Sequence, residues 1–177
     1  CTRMVQCLYK VHKPPTETHR EKNEMTLLKE SVTSPVGREQ AFAYISEWSR
    51  QSEWDPNTIS STQIGDGAPA VGSRYTLEVK YGTSTKTMEY RITELDAPSR
   101  LVLIGEGDGV WTEDILEFTE VDDGTRVDYQ AEIKLSGILG LIQPLLGRQF
   151  DAIGDGVVVG MQRELDALAA ASEEPAA

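Results

Sequence analysis

The chain has 177 residues, 39% of them hydrophobic and 26% charged, a balance that supports one domain with a real core. Lys and Arg total 17 against 29 Asp and Glu, for a formal net charge of −12. Such a field repels a phosphate backbone, so no nucleic acid is expected as partner. No apolar run approaches the roughly 18 residues of a membrane-spanning helix; no integral membrane association is expected, and the expected location is cytoplasmic.

Residues 1–24 differ from the rest. They hold both cysteines (Cys1, Cys7) and both histidines (His12, His19). Pro14-Pro15 blocks a continuous helix or central strand, and the polar stretch from Thr16 to Glu24 lacks the apolar area to repay ordering. We read this segment as a disordered tail or an extension preceding a domain over residues 25–171, with 172–177 a frayed end. Unless the tail folds back, the domain has no histidine base, cysteine nucleophile or His/Cys-ligated zinc. No metal and no cofactor are expected.

Thr26 to Ser34 reads as a first strand. Ser34-Pro35 offers a helix start, serine as N-cap and proline at the first helical position. Ala41, Phe42, Ile45 and Trp48 follow at helical spacing to about Ser49. A further helical turn is expected between Arg50 and Asn57, ended by Asp55-Pro56, because a residue before proline is pushed out of the α region.

Strand signals then come in series. Thr58 to Ile64 precedes Gly65-Asp66-Gly67. In the segment from Ser73 to Tyr81, Tyr75, Leu77, Val79 and Tyr81 share one face. Gly82 marks a turn, and Lys86 to Leu95 places Met88, Tyr90 and Ile92 together. After Ala97-Pro98 come Leu101 to Gly105, then Val110 to Val121 with Asp114, Leu116 and Phe118 on one face. Asp122-Asp123-Gly124 is a hairpin signal, and Thr125 to Leu135 aligns Val127, Tyr129, Ala131, Ile133 and Leu135. Six successive strands with short turns predict a meandering antiparallel sheet, apolar on one face.

The apolar segment from Ile138 to Leu146 leads into a long helix. Its stripe runs through Leu146, Phe150, Ile153, Val157, Met161 and Leu168. Gly147, Gly154, Gly156 and Gly160 each cost about 1 kcal/mol of helix propensity relative to alanine, so close packing must hold it.

This order of elements resembles the START-like (SRPBCC) helix-grip superfamily, and within it the polyketide cyclase/dehydrase and lipid-transport group. The resemblance spans about Thr26 to Ala170. It is carried by VTSPVGREQAFAYIS, by Trp54-Asp55-Pro56, by Gly72-Ser73-Arg74-Tyr75, by TELDAPSRL and DDGTRVDYQ, and by the glycine-containing last helix. It implies an α+β fold: a curved antiparallel sheet of about seven strands gripping the C-terminal helix, with two short helices after strand 1. A strongly bent sheet rarely fills its own concavity, so an apolar ligand chamber is expected.

By strand parity and helix spacing the chamber is expected to be lined by Tyr75, Leu77, Tyr90, Asp114, Leu116, Phe118, Tyr129, Phe150, Ile153 and Val157. Trp54 either closes one end or plugs the core. Asp114 interrupts an apolar line. The plainer reading leaves it solvated at the rim where the strand frays near Gly109; the sharper one buries it as a general acid or base, with Tyr75, Tyr90 or Tyr129 as partner. Trp111 has outward parity beside the loop from Gly105 to Gly109, whose flexibility would suit gating. The family's aromatase/cyclase members orient a poly-ketone chain with polar cavity residues, arginine among them, yet parity turns no arginine inward here. The function expected is binding of a small hydrophobic ligand such as a lipid or polyketide, by a monomer or homodimer. The alternatives are a cyclase/dehydratase acting in the same cavity and a protein-interaction module.

Overall fold

The computed structural model describes residues 25–81, 84–137 and 147–173. The N-terminal tail, the turn at Gly82 and the apolar segment from Ile138 to Leu146 lie outside the described residues. The elements are β1 (Thr26–Ser34), α1 (Arg38–Ser46), a 3-10 turn (Trp48–Arg50), α2 (Gln51–Trp54), β2 (Thr58–Ile64), β3 (Arg74–Tyr81), β4 (Ser84–Asp96), β5 (Arg100–Gly107), β6 (Val110–Val121), β7 (Gly124–Leu135) and α3 (Gly147–Glu173). The strands form one antiparallel sheet in the order β1-β7-β6-β5-β4-β3-β2. The helix pair α1–α2 carries the chain from β1, at one edge, to β2, at the other.

Alternation along the strands sorts the side chains as their two-residue period requires. Tyr75, Leu77, Met88, Tyr90, Ile92, Leu116, Phe118, Val127 and Leu135 all turn into the core. Arginine stays on the outer face: Arg74 pairs with Glu89 at 3.5 Å and Arg126 with Asp128 at 2.9 Å. Trp111 also lies outward, with the Lys134 ammonium 4.0 Å from its ring centroid on the neighbouring strand. Register shifts after Thr58 in β2 and after Ile92 in β4 bend the strands.

The expected helix start at Ser34-Pro35 is corrected. Ser34 remains in β1, paired with Thr125, and α1 begins only at Arg38 behind Gly37. The Ser34 hydroxyl instead donates to Asp166 of α3 at 2.7 Å, so a long-range contact takes the group that local capping would have used. The helix reading to about Ser49 divides into α1 and the 3-10 turn. In α3 the buried line runs through Phe150, Val157, Met161 and Leu165, while Leu168 is half-buried.

The glycines at positions 105 and 107 are also reassigned. Both lie within β5, and only Asp108 and Gly109 form the turn, with positive φ of 49° and 81°. A Cβ on Gly105 would sit 2.5 Å from the Tyr90 ring, and one on Gly107 would sit 2.2 Å from the Thr87 carbonyl oxygen. These glycines allow close approach between strands; they do not make a gate.

Close approach also seats α3. A Cβ on Gly160 would lie 2.0 Å from the Trp54 carbonyl oxygen, and one on Gly156 would lie 2.9 Å from Pro56 Cγ. Tyr44 adds a polar brace, its hydroxyl 2.7 Å from a Glu53 carboxylate oxygen and 3.1 Å from one of Glu164. Gly160→Ala should therefore destabilise the protein by about 1–3 kcal/mol, the overpacking cost outweighing the roughly 1 kcal/mol gain in helix propensity. Val159→Ala, on the exposed side, should stay within about 0.5 kcal/mol of the parent. Urea unfolding of the two variants checks both values.

Candidate functional site: a small chamber under the C-terminal helix

A half-open chamber of about 80 Å³ lies where α3 crosses the sheet. Leu28, Val79, Met88, Val110, Ala131 and Ile133 supply apolar wall from the strands, and Ile153 and Val157 close it from α3. Tyr90, Thr112, Asp114 and Tyr129 enter from the central strands, while Gln51, Asp55 and Asn57 enter from the α2–β2 corner. A larger hollow of about 460 Å³, bordered by Lys29, Arg100, Glu117 and Asp128, lies on the charged outer side of the sheet.

Asp114 is 2% exposed. Its position in mid-β6, opposite Ala131 of β7, turns it under the helix and overturns the solvated-rim reading. The Tyr129 hydroxyl donates to Oδ1, and the Thr112 hydroxyl donates to Oδ2 at 3.1 Å. Burial pushes the Asp114 carboxyl up to about 6, against these hydrogen bonds and with help from the Asp55 and Glu113 charges. Burial likewise raises the Tyr129 phenol well above its ordinary value, with the Asp114 charge next in importance.

Asp55 is the second buried carboxylate. The chain leaves α2 in extended conformation at this residue, because Pro56 follows. Its Oδ1 accepts from the backbone N–H of Asn57 at 2.8 Å, and its Oδ2 accepts from the Thr58 hydroxyl at 2.7 Å. Burial still raises its pKa, the hydrogen bonds opposing. Sequence reading used Asp55 only as a helix stop; the signal available was an Asp followed two and three residues later by Asn and Thr, a local capping pattern. Gln51, also missed, brings its Nε2 to 3.5 Å from Asp55 Oδ2, and its Oε1 is buried without a partner.

The chamber thus gathers Tyr90, Asp114, Tyr129, Ile153 and Val157 from the expected lining. Tyr75, Leu77, Leu116, Phe118, Phe150 and Trp54 are buried elsewhere in the core and do not line it. Trp54 packs edge-on against Trp48, with ring centroids 5.5 Å apart, as a plug. Among the described residues no group of three or more His, Cys, Asp or Glu could hold a metal ion.

A curved sheet gripping a helix over a partly polar chamber defines the START-like class of protein. Residues 25–173 match the family model described as polyketide cyclase / dehydrase and lipid transport, and the chain belongs to that family. Among solved structures it is similar to a START superfamily protein from Mycobacterium smegmatis (11% identity, TM-score 0.63), covering 80% of this chain and 98% of that one. It is similar to the Zhui aromatase/cyclase from Streptomyces sp. R1128 (13% identity, TM-score 0.60), covering 79% and 95% respectively. A conserved protein from Geobacillus kaustophilus shares 18% identity at TM-score 0.63, with 80% and 96% covered. At these identities the likeness is one of fold. No curated protein matches the chain.

The raised Asp114 pKa fixes a sign. The folded state holds this proton up to about pH 6, whereas the unfolded chain releases it near 3.8. Stability therefore falls as pH rises between these values, and the penalty is complete above them. Asp114→Asn escapes it, so its stability relative to the parent should improve by on the order of 2–3 kcal/mol between pH 4 and pH 7. Parallel urea-unfolding series checks this, and pH-independent spacing between the two proteins would contradict it.

Proposed function

We propose that the protein binds and carries a small hydrophobic ligand in the chamber beneath α3. The observation that carries this reading is a mostly apolar wall with a few buried polar groups converging at one place, the arrangement of small-molecule sites. Family membership supports it. At about 80 Å³ the chamber is smaller than the roughly 300 Å³ at which drug-sized sites begin, so it takes a small molecule or the head of a longer one. Lys80, an exposed residue, also borders it and marks the way out to the surface. Among the described residues no helix is long and apolar enough to cross a membrane.

One observation favours a second reading, a cyclase/dehydratase-type reaction in the same chamber. A carboxyl held near pH 6 and hydrogen-bonded to a phenol suits proton transfer near neutrality. In that reading Asp114 is the acid-base group and Tyr129 its partner. Asp114→Asn then abolishes turnover while sparing binding.

Native mass spectrometry before and after mild delipidation tests the binding reading. A co-purifying mass, or uptake of an added apolar probe, is expected. Ala131→Leu, which fills the chamber opposite Asp114, should weaken probe uptake at least tenfold. Uptake unchanged in this variant would place the ligand elsewhere.

A further inference from the structure

The polar end of the chamber is rich in acceptors. The hydrogens of its neighbours are committed inward: Tyr129 and Thr112 donate to Asp114, and Thr58 and the Asn57 amides donate to Asp55. Besides these, the Tyr90 hydroxyl and the Gln51 amide border the chamber. Gln51 Oε1 is buried without a partner, on a residue only 4% exposed. Flipping the amide would only turn that oxygen toward the Asp55 carboxylate. Neither Asp55 nor Asp114 forms a salt bridge with any described residue, and the Asp55 charge bears on Asp114. Lys80 borders the chamber, but its side chain is exposed and on the outward parity of β3.

Two buried carboxylates without a counter-charge are an unstable arrangement in a low-dielectric interior. An unsatisfied acceptor bordering the same chamber, Gln51 Oε1, sharpens the demand, since a buried acceptor without a partner forfeits its hydration. A ligand that supplies both positive charge and several N–H donors answers all three groups at once. A carboxylate or phosphate would be repelled. A neutral ketone or ether would bring still another acceptor. The surrounding wall of Leu28, Val79, Met88 and Val157 requires the remainder of the ligand to be apolar.

We propose that the chamber selects an apolar amine, its ammonium group seated among Asp55, Asp114 and Gln51 Oε1 and its hydrocarbon part against the apolar wall. This names the ligand class for the site and rests on the binding reading above. It also distinguishes the chamber from one built for an acceptor-rich poly-ketone, which would need donors or cations at the same place.

An isosteric trio tests it: n-hexylamine, 1-hexanol and hexanoate, titrated by calorimetry into the full chain at pH 7.5. Hexylamine should bind at least tenfold more tightly than hexanol, and hexanoate should not bind. Asp114→Asn should remove the preference for hexylamine over hexanol. Gln51→Leu should lower the amine preference several-fold, and it serves as the second variant should the first fail to fold, with each fold checked by its thermal transition. Equal affinity for hexylamine and hexanol, or a preference that survives both substitutions, overturns the amine inference while leaving the binding reading intact. Failure of all three ligands and of the apolar probe overturns both.

Discussion

The close seating of α3 on the α2–β2 corner is the constraint from which the rest of the molecule follows. Where most helices keep side chains between themselves and their neighbours, α3 presents Gly160 to the Trp54 carbonyl and Gly156 to the Pro56 ring. At Gly160 main chain meets main chain, and such a contact cannot be relieved by rotating a side chain. The seating fixes how far the helix stands above the sheet. That height sets the chamber ceiling, formed by Ile153 and Val157, and presses the corner carrying Gln51 and Asp55 toward Asp114 of β6.

Burial of charge is the second consequence. A carboxylate in mid-strand under a helix costs free energy unless something offsets it, and here the described residues supply two hydroxyl donors but no cation to Asp114. A structural ion pair is closed by a partner from the same chain, and among the described residues Asp114 has none. An uncompensated group in a recess is the kind of local conflict that proteins retain where a ligand completes the arrangement.

Much of this was legible in the sequence, for definite reasons. A two-residue period cannot be kept by chance through Thr125 to Leu135, and it placed Tyr129 and Ala131 inward without any tertiary information. The four glycines of α3 signalled close packing because nothing else justifies them in a helix. Other features were not readable. Ser34-Pro35 satisfies the local rules for a helix start, yet the pairing of Ser34 with Thr125 and its bond to Asp166, 132 positions away, prevail. Asp55 reads as a helix stop because that is its local role; its place beside Asp114 depends on two segments meeting across the fold. Gly105 and Gly107 illustrate the same limit, since a glycine that grants mobility and one that admits a neighbouring ring look alike in one dimension.

Gly105 carries one more implication. The Tyr90 phenol packs against this strand glycine and borders the chamber, so the absence of a side chain at position 105 is what makes room for the ring. A single methyl group there would press on the Tyr90 ring and, at 2.8 Å, on Thr112 Cγ2, and so redraw the bore of the recess. Position 105 thus works as a gauge setting: what it carries decides how much room Tyr90 and Thr112 leave in the recess.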